Sequence, residues 1–170
     1  MRIGITALLV VLAGSAVAQQ HQHGQTPYAG FQQRGIKALG EQQISDLRAG
    51  KGMGLALAAE LNGYPGPLHV LDLADRLDLT AEQRAQLKLL YEGMKAEAIA
   101  VGDRLIAHET ALDRQFAERT VSPTVLASLT ADIGKTQGEL RAVHLKYHLT
   151  TAQLLTAEQR QRYAELRGYH

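Results

Sequence analysis

An all-α fold, built on one long antiparallel helical hairpin with additional short helices, is predicted by three observations. Apolar side chains recur at alternating spacings of three and four along two long stretches in the C-terminal two-thirds of the chain. A brief connection ending in Ser122-Pro123 joins those stretches. No segment alternates apolar and polar residues in the period of two that a half-buried strand requires.

The N-terminus has a separate character. Met1-Arg2 supplies a positive start, Ile3 to Ala13 is apolar, and Ala16-Val17-Ala18 closes a small-residue segment before polarity begins at Gln19. The apolar run falls short of the roughly 20 residues that a bilayer span needs. With its small-x-small ending it has the form of a cleavable secretory signal, residues 1–18, processed after Ala18. The chain has no cysteine, so there is neither a lipidation point at the cleavage site nor a disulfide to brace the exported fold. Packing alone is expected to hold it. The polar, aperiodic segment that follows reads as a disordered leader, residues 19–40. Residues 41–170 then form a single helical domain, and no later apolar stretch is long enough for stable membrane insertion.

Within that domain the elements follow in order. Glu41 to Ala49 suits a short helix carrying Ile44 and Leu47 and ended by Gly50. Gly50-Lys51-Gly52-Met53-Gly54 has the glycines of a phosphate loop, but no Lys-Ser/Thr pair follows and no strand precedes it, so it reads as a connector. Leu55 to Leu61 forms a second short helix stopped by Asn62-Gly63. Tyr64-Pro65-Gly66-Pro67 makes a turn, with Pro67 opening a helix over 67–77. The dominant helix runs from Ala81 to about Glu118, with Leu87, Tyr91, Met94, Ala98, Val101, Leu105, His108, Leu112 and Phe116 on one face, weakened only by Gly93 and Gly102. After Arg119-Thr120-Val121, Ser122 caps a helix beginning at Pro123. Leu126, Leu129, Ile133, Leu140, Val143, Tyr147, Thr151 and Leu154 line its face. So short a connection forces the two long helices antiparallel.

Composition removes several functions. Lys and Arg number 18 against 17 Asp and Glu, with no basic stripe of the kind a nucleic acid needs. Tryptophan is absent and aromatic residues make up 5%, too few for a sugar-stacking platform. Ser15, Ser45, Ser122 and Ser128 have no neighbouring histidine, and His108-Glu109-Thr110-Ala111-Leu112 has Leu where a zinc protease needs its second His. The expectation is a protein without enzymatic activity.

Two segments repeat: Leu79-Thr80-Ala81-Glu82-Gln83-Arg84 and Leu155-Thr156-Ala157-Glu158-Gln159-Arg160. Each is a capping box, in which Thr accepts from the N3 amide and Gln at N3 reaches back to the cap amide. Two such boxes flanking a helical hairpin, in an exported cysteine-free chain with a Tyr-containing C-terminal helix, resemble the LTxxQ family, whose members include Spy- and CpxP-like chaperones and ZraP- and CnrX-like heavy-metal resistance proteins. The resemblance covers roughly Pro67 to Tyr169. It implies a periplasmic, non-enzymatic protein of the stress response, an interlocked cradle-like homodimer, and a concave face that holds unfolded periplasmic clients or a hairpin that holds a metal. A membrane sensor is the third partner it implies. A Spy-like cradle is typically basic, and this chain is near neutral.

Candidate ligands follow from helical spacing. His144 and His148 stand one turn apart, and an i, i+4 imidazole pair grips one divalent ion if other ligands complete the shell. The pair lies just before the second box, similar to where metal-sensing relatives carry a C-terminal ligand pair. Reflecting the hairpin about its turn brings Met94 and Glu97 to the same level; Met94 offers a soft thioether, while Glu97 falls on the flank away from His148. The competing reading makes His144 a hydrogen-bonded core histidine and His148 merely exposed. His108, about ten residues away along the hairpin, is a core or interface histidine. Cleavage after Ala18 would also expose Gln19-Gln20-His21, whose amine, two amides and imidazole suit Cu(II) or Ni(II). Zn, Ni, Co and Cu are the ions these donors admit.

Overall fold

The computed structural model describes residues 27–169; the signal segment and His21 lie outside the described residues. Among the described residues the structure is entirely helical, without strands. A single 3-10 turn, Phe31–Gln33, precedes six α-helices: α1 (Glu41–Arg48), α2 (Leu57–Glu60), α3 (Pro67–Asp72), α4 (Ala81–Ala117), α5 (Pro123–Leu154) and α6 (Ala157–Arg167).

Helices α4 and α5 form the expected hairpin. Their 37 residues and 32 residues correspond to lengths of about 55 and 48 Å at helical rise. The turn between them is a Schellman motif: Arg119 takes the left-handed conformation with φ 58°, its amide donates to Phe116 O, and Thr120 N donates to Gln115 O at 3.0 Å. Ser122 then caps α5 by accepting from the Val125 amide at 3.3 Å. Gly93 and Gly102 have a packing role. A Cβ at Gly93 would lie 2.8 Å from the Tyr147 hydroxyl, and one at Gly102 would lie 2.9 Å from the Leu47 carbonyl. At these two positions a side chain of α5 and the backbone of α1 lie directly against α4.

The apolar interior forms two clusters. One joins Ile36, Leu39 and Leu47 to the hairpin residues Ala98, Val101, Leu105, Ile106, Ile133 and Leu140. The second, at the open end of the hairpin, joins Val70, Ala74 and Leu77 to Leu79, Leu87, Leu155 and Tyr163. Fully burying a side chain such as Leu77 or Leu87 contributes about 1.5–3 kcal/mol. The leader expected through residue 40 is corrected here: Ile36 and Leu39 are buried, and the Lys37 amide donates to Asp113 at 3.2 Å. Two apolar side chains spaced three apart were enough to dock the segment on α4 and α5. Toward the hairpin tip the stripe is uncovered, with Phe116 and Leu126 exposed. No described helix is long and apolar enough to cross a membrane.

The two repeated boxes meet. Thr80 and Thr156 accept from Gln83 N and Gln159 N, each at 3.1 Å, and Gln83 and Gln159 return an acceptor to the cap amides at 3.0 Å. The two glutamine side chains also pair with one another, Gln83 Nε2 to Gln159 Oε1 at 2.9 Å and Gln159 Nε2 to Gln83 Oε1 at 3.1 Å. Each amide donates its second hydrogen to a backbone carbonyl, Leu154 O for Gln83 and Leu77 O for Gln159. Every donor and acceptor of both amides is thereby used. Replacing either glutamine by Ala is expected to lower unfolding stability by about 1–3 kcal/mol. Because each substitution removes the other's partner, the double variant should lose less than the sum, by at least about 0.5 kcal/mol; additive losses in urea unfolding would show that the pair does not interact.

Candidate functional site

Between the two apolar clusters lies a polar layer. On α4 the sequence passes from Leu87 in one cluster through Met94 to Ala98 in the other, and on α5 from Leu140 through His144 and His148 to Leu155. Helix α2 packs on α5, and α3 on both long helices. The connector and these short helices close a cavity of about 320 Å3 over the layer, lined by Met94, His144 and His148 together with Met53, Glu60, Gly66 and His69.

His148 is held by the turn above it. Its Nδ1 lies 2.7 Å from the Tyr64 carbonyl oxygen and 3.6 Å from Glu60 Oε2. Donation from Nδ1 to the carbonyl places the ring's lone pair on Nε2, the arrangement that prepares an imidazole to act as a ligand. The ring lies directly against Gly66, where a Cβ would come within 2.8 Å of Nε2; only glycine permits that approach.

His144 is 1% exposed. Burial, reinforced by the neighbouring His148, lowers its pKa below the ordinary histidine value, so the ring is neutral at pH 7. Its Nε2 is buried and has no hydrogen-bond partner among the described residues. Leaving such a nitrogen unsatisfied costs about 1–3 kcal/mol. The Thr151 hydroxyl, two turns beyond and fully buried, is likewise unpartnered.

Glu60 was not singled out in the sequence, and it organises the layer. It is 5% exposed and accepts from the Gly66 amide at 3.1 Å, from the Tyr163 hydroxyl, and from the Tyr169 hydroxyl at 3.2 Å. His69 Nδ1 stands 3.4 Å away and Arg167 Nε 3.9 Å away. Burial opposes ionisation, but the His69 ring, the Tyr163 hydroxyl and the Gly66 amide outweigh it and hold the pKa at about 2. Glu60 is thus an anion whose oxygens are already occupied, a tether between α2, the 64–66 turn and α6. The signal that might have found it was weak: one carboxylate at the end of a four-residue helix.

Other candidates lie elsewhere. Glu97 is on the outer flank of α4, its carboxylate bonded to Lys146 Nζ at 2.7 and 3.0 Å and to the Tyr147 hydroxyl at 2.8 Å, and it does not line the cavity. Both contacts hold its pKa below the usual carboxylate value. His108 Nδ1 is 3.2 Å from the Thr136 hydroxyl inside the hairpin. Among the described residues no three His, Asp or Glu side chains stand together as a metal-ligand set. The donors that share the cavity are the thioethers of Met53 and Met94 and the imidazoles of His144, His148 and His69, the last with its Nδ1 3.4 Å from Glu60.

The model of the LTXXQ motif family matches residues 68–167, a span that contains both Thr-Gln boxes, the hairpin between them and α6. The chain belongs to the LTXXQ motif family. No curated protein and no solved structure matches it. The LTXXQ family is one of periplasmic, non-enzymatic chaperone and metal-resistance proteins. In this LTXXQ chain the residues that name the family are the ones that clasp the open end of the hairpin: Leu79 and Leu155 are buried in one cluster, and Thr80, Gln83, Thr156 and Gln159 form the hydrogen-bonded pair of boxes. The family match begins at Leu68, so Met53, Glu60 and Gly66 of the cavity lie before it.

Glu60 makes the pH response predictable. Its folded pKa lies below the unfolded value, so its contribution is complete above pH 4.5 and is lost as pH falls from 4.5 toward 2. That shift corresponds to roughly 3 kcal/mol. Urea unfolding followed from pH 6 to pH 2 should show this loss in the wild type and a much flatter response in Glu60→Gln; the same slope in both would contradict the assignment.

Proposed function

We propose that this chain is an exported periplasmic protein that binds a transition-metal ion between His144, His148 and Met94, holding the ion without reacting upon it. The observation that carries this reading is the buried, unpartnered Nε2 of His144, on a residue that lines the same cavity as a second imidazole and a thioether. A core histidine kept only for packing would be expected to satisfy both ring nitrogens. An ion accepted by the two imidazoles would offset the unmade hydrogen bond, and Tyr64 already orients His148 for that role. The oxygens of Glu60 are engaged, so it serves as frame. Zn, Ni, Co and Cu remain the candidates for loading, and Gln19-Gln20-His21 is a separate Cu(II) or Ni(II) possibility at the processed N-terminus.

A second reading, a holdase for unfolded periplasmic clients, is supported by the exposed apolar side chains of Leu57 and Leu68 at the cavity, of Leu61 and Tyr64 on and after α2, and of Phe116 and Leu126 at the hairpin tip. The same surfaces would serve a homodimer or a membrane sensor. Suppression of client aggregation at near-stoichiometric ratio by protein stripped of metal would favour this reading.

Calorimetric titration of the exported protein with each ion tests the metal reading. At least one ion should bind with one-to-one stoichiometry, and the affinity should fall at least a hundredfold in His144→Ala/His148→Ala. Unchanged affinity in that variant, with helical content preserved by circular dichroism, rejects the site.

A further inference from the structure

We infer that the cavity takes a soft monovalent ion, Cu(I) or Ag(I), through the thioethers of Met53 and Met94 and the imidazoles of His144 and His148, in preference to divalent ions. The inference rests on the metal reading above and narrows it to a class of ion.

The donor set argues first. Two thioethers, Met53 and Met94, share the cavity with the imidazoles of His144 and His148, and a third imidazole, His69, faces Glu60 at 3.4 Å. Thioether sulfur is a soft donor that selects Cu(I), whereas Zn(II), Ni(II) and Co(II) draw on imidazole, carboxylate or thiolate. Neither carboxylate nor thiolate is on offer, since Glu60 is occupied by Tyr163, Tyr169 and the Gly66 amide and the chain has no cysteine.

Charge argues in the same direction. The electrostatic cost of bringing an ion into a low-dielectric interior rises with the square of its charge. The carboxylate that lines the cavity, Glu60, is already faced by Arg167 at 3.9 Å and His69 at 3.4 Å, so little of its charge is left to offset a divalent ion among neutral ligands. A monovalent ion carries far less of it and is content with few neutral ligands.

Met53 supplies the third observation. It takes φ 44°, in the left-handed region, where a non-glycine side chain costs about 1–2 kcal/mol. The flanking Gly52 and Gly54 make the bend possible, yet the bent position itself carries a long thioether. Both methionines line the cavity, Met53 42% exposed and Met94 8% exposed. Strain of this kind is characteristic of ligand clamps.

The test uses methionine methyl resonances as direct reporters. The chain has three methionines; removal of Met1 with the signal leaves only Met53 and Met94, so protein labelled with 13C in the methionine methyls gives two peaks. Titration with Ag(I) nitrate in chloride-free buffer should move both peaks, saturating at one equivalent, and titration with Zn(II) should move neither. Met94→Leu, close in volume and checked for folding by circular dichroism, should weaken Ag(I) binding at least tenfold. A Met94 methyl unmoved by one equivalent of Ag(I), or a shift undiminished in His144→Ala/His148→Ala, overturns the inference. If Zn(II) binds at the two histidines while Ag(I) moves neither methyl, the ion class is wrong and the metal reading survives. If no ion binds, both fall.

Discussion

The reciprocal amide pair of Gln83 and Gln159 is the constraint on which the rest of this structure depends. Each glutamine closes its own capping box and, with the atoms left over, closes the other's. The pairing fixes the first turn of α6 against the first turn of α4, and everything downstream inherits that placement. Helix α6 carries Tyr163 into the core, and the left-handed Gly168 turns Tyr169 back toward Glu60. The two hydroxyls hold Glu60, Glu60 holds the Gly66 amide, and Gly66 lies against the His148 ring. A family motif that reads as two local helix starts thus acts over a long range of sequence, placing the wall of a cavity made by residues that precede the matched span.

The site exists because the hairpin core is interrupted. Above and below the layer of Met94, His144 and His148 the packing is apolar and closed. Within it, two imidazoles, a carboxylate and a threonine hydroxyl are buried, and the His144 ring and the Thr151 hydroxyl carry unsatisfied atoms. A sequence selected for packing alone would place leucine at such positions, with more stability and no orphaned polar groups. Buried polar layers that break the local rules are where function is expected to reside.

Much of this is legible in the sequence alone. Period and caps gave the hairpin, with α4 ending at Ala117 and α5 beginning at Pro123 as its Ser-Pro signal requires, because those signals are local. The long-range contacts were not legible. A capping box specifies what its glutamine does to its own helix and says nothing of a second glutamine far along the chain. Glu60 sits in a helix of four residues, too short for periodicity to mark. Gly93 and Gly102 looked like weaknesses of a helix and proved to be contact points, since the reason for a small residue lies on the neighbouring element. Phe116 shared the stripe by spacing yet is exposed, because the covering elements end before the hairpin tip. Burial of Ile36 and Leu39 likewise depended on a docking surface that only the assembled hairpin provides.

At the centre of this account is the idea that buried imidazole lone pairs are held ready for an ion. Long-range proton–nitrogen correlation spectra of the metal-free protein at pH 7.5 read this most directly, because ring nitrogen shifts distinguish protonated, hydrogen-bonded and lone-pair nitrogens. The account predicts that His148 carries its proton on Nδ1, with a lone pair on Nε2, and that His144 is a neutral ring. A His148 proton residing on Nε2, or an imidazolium at His144, would contradict it.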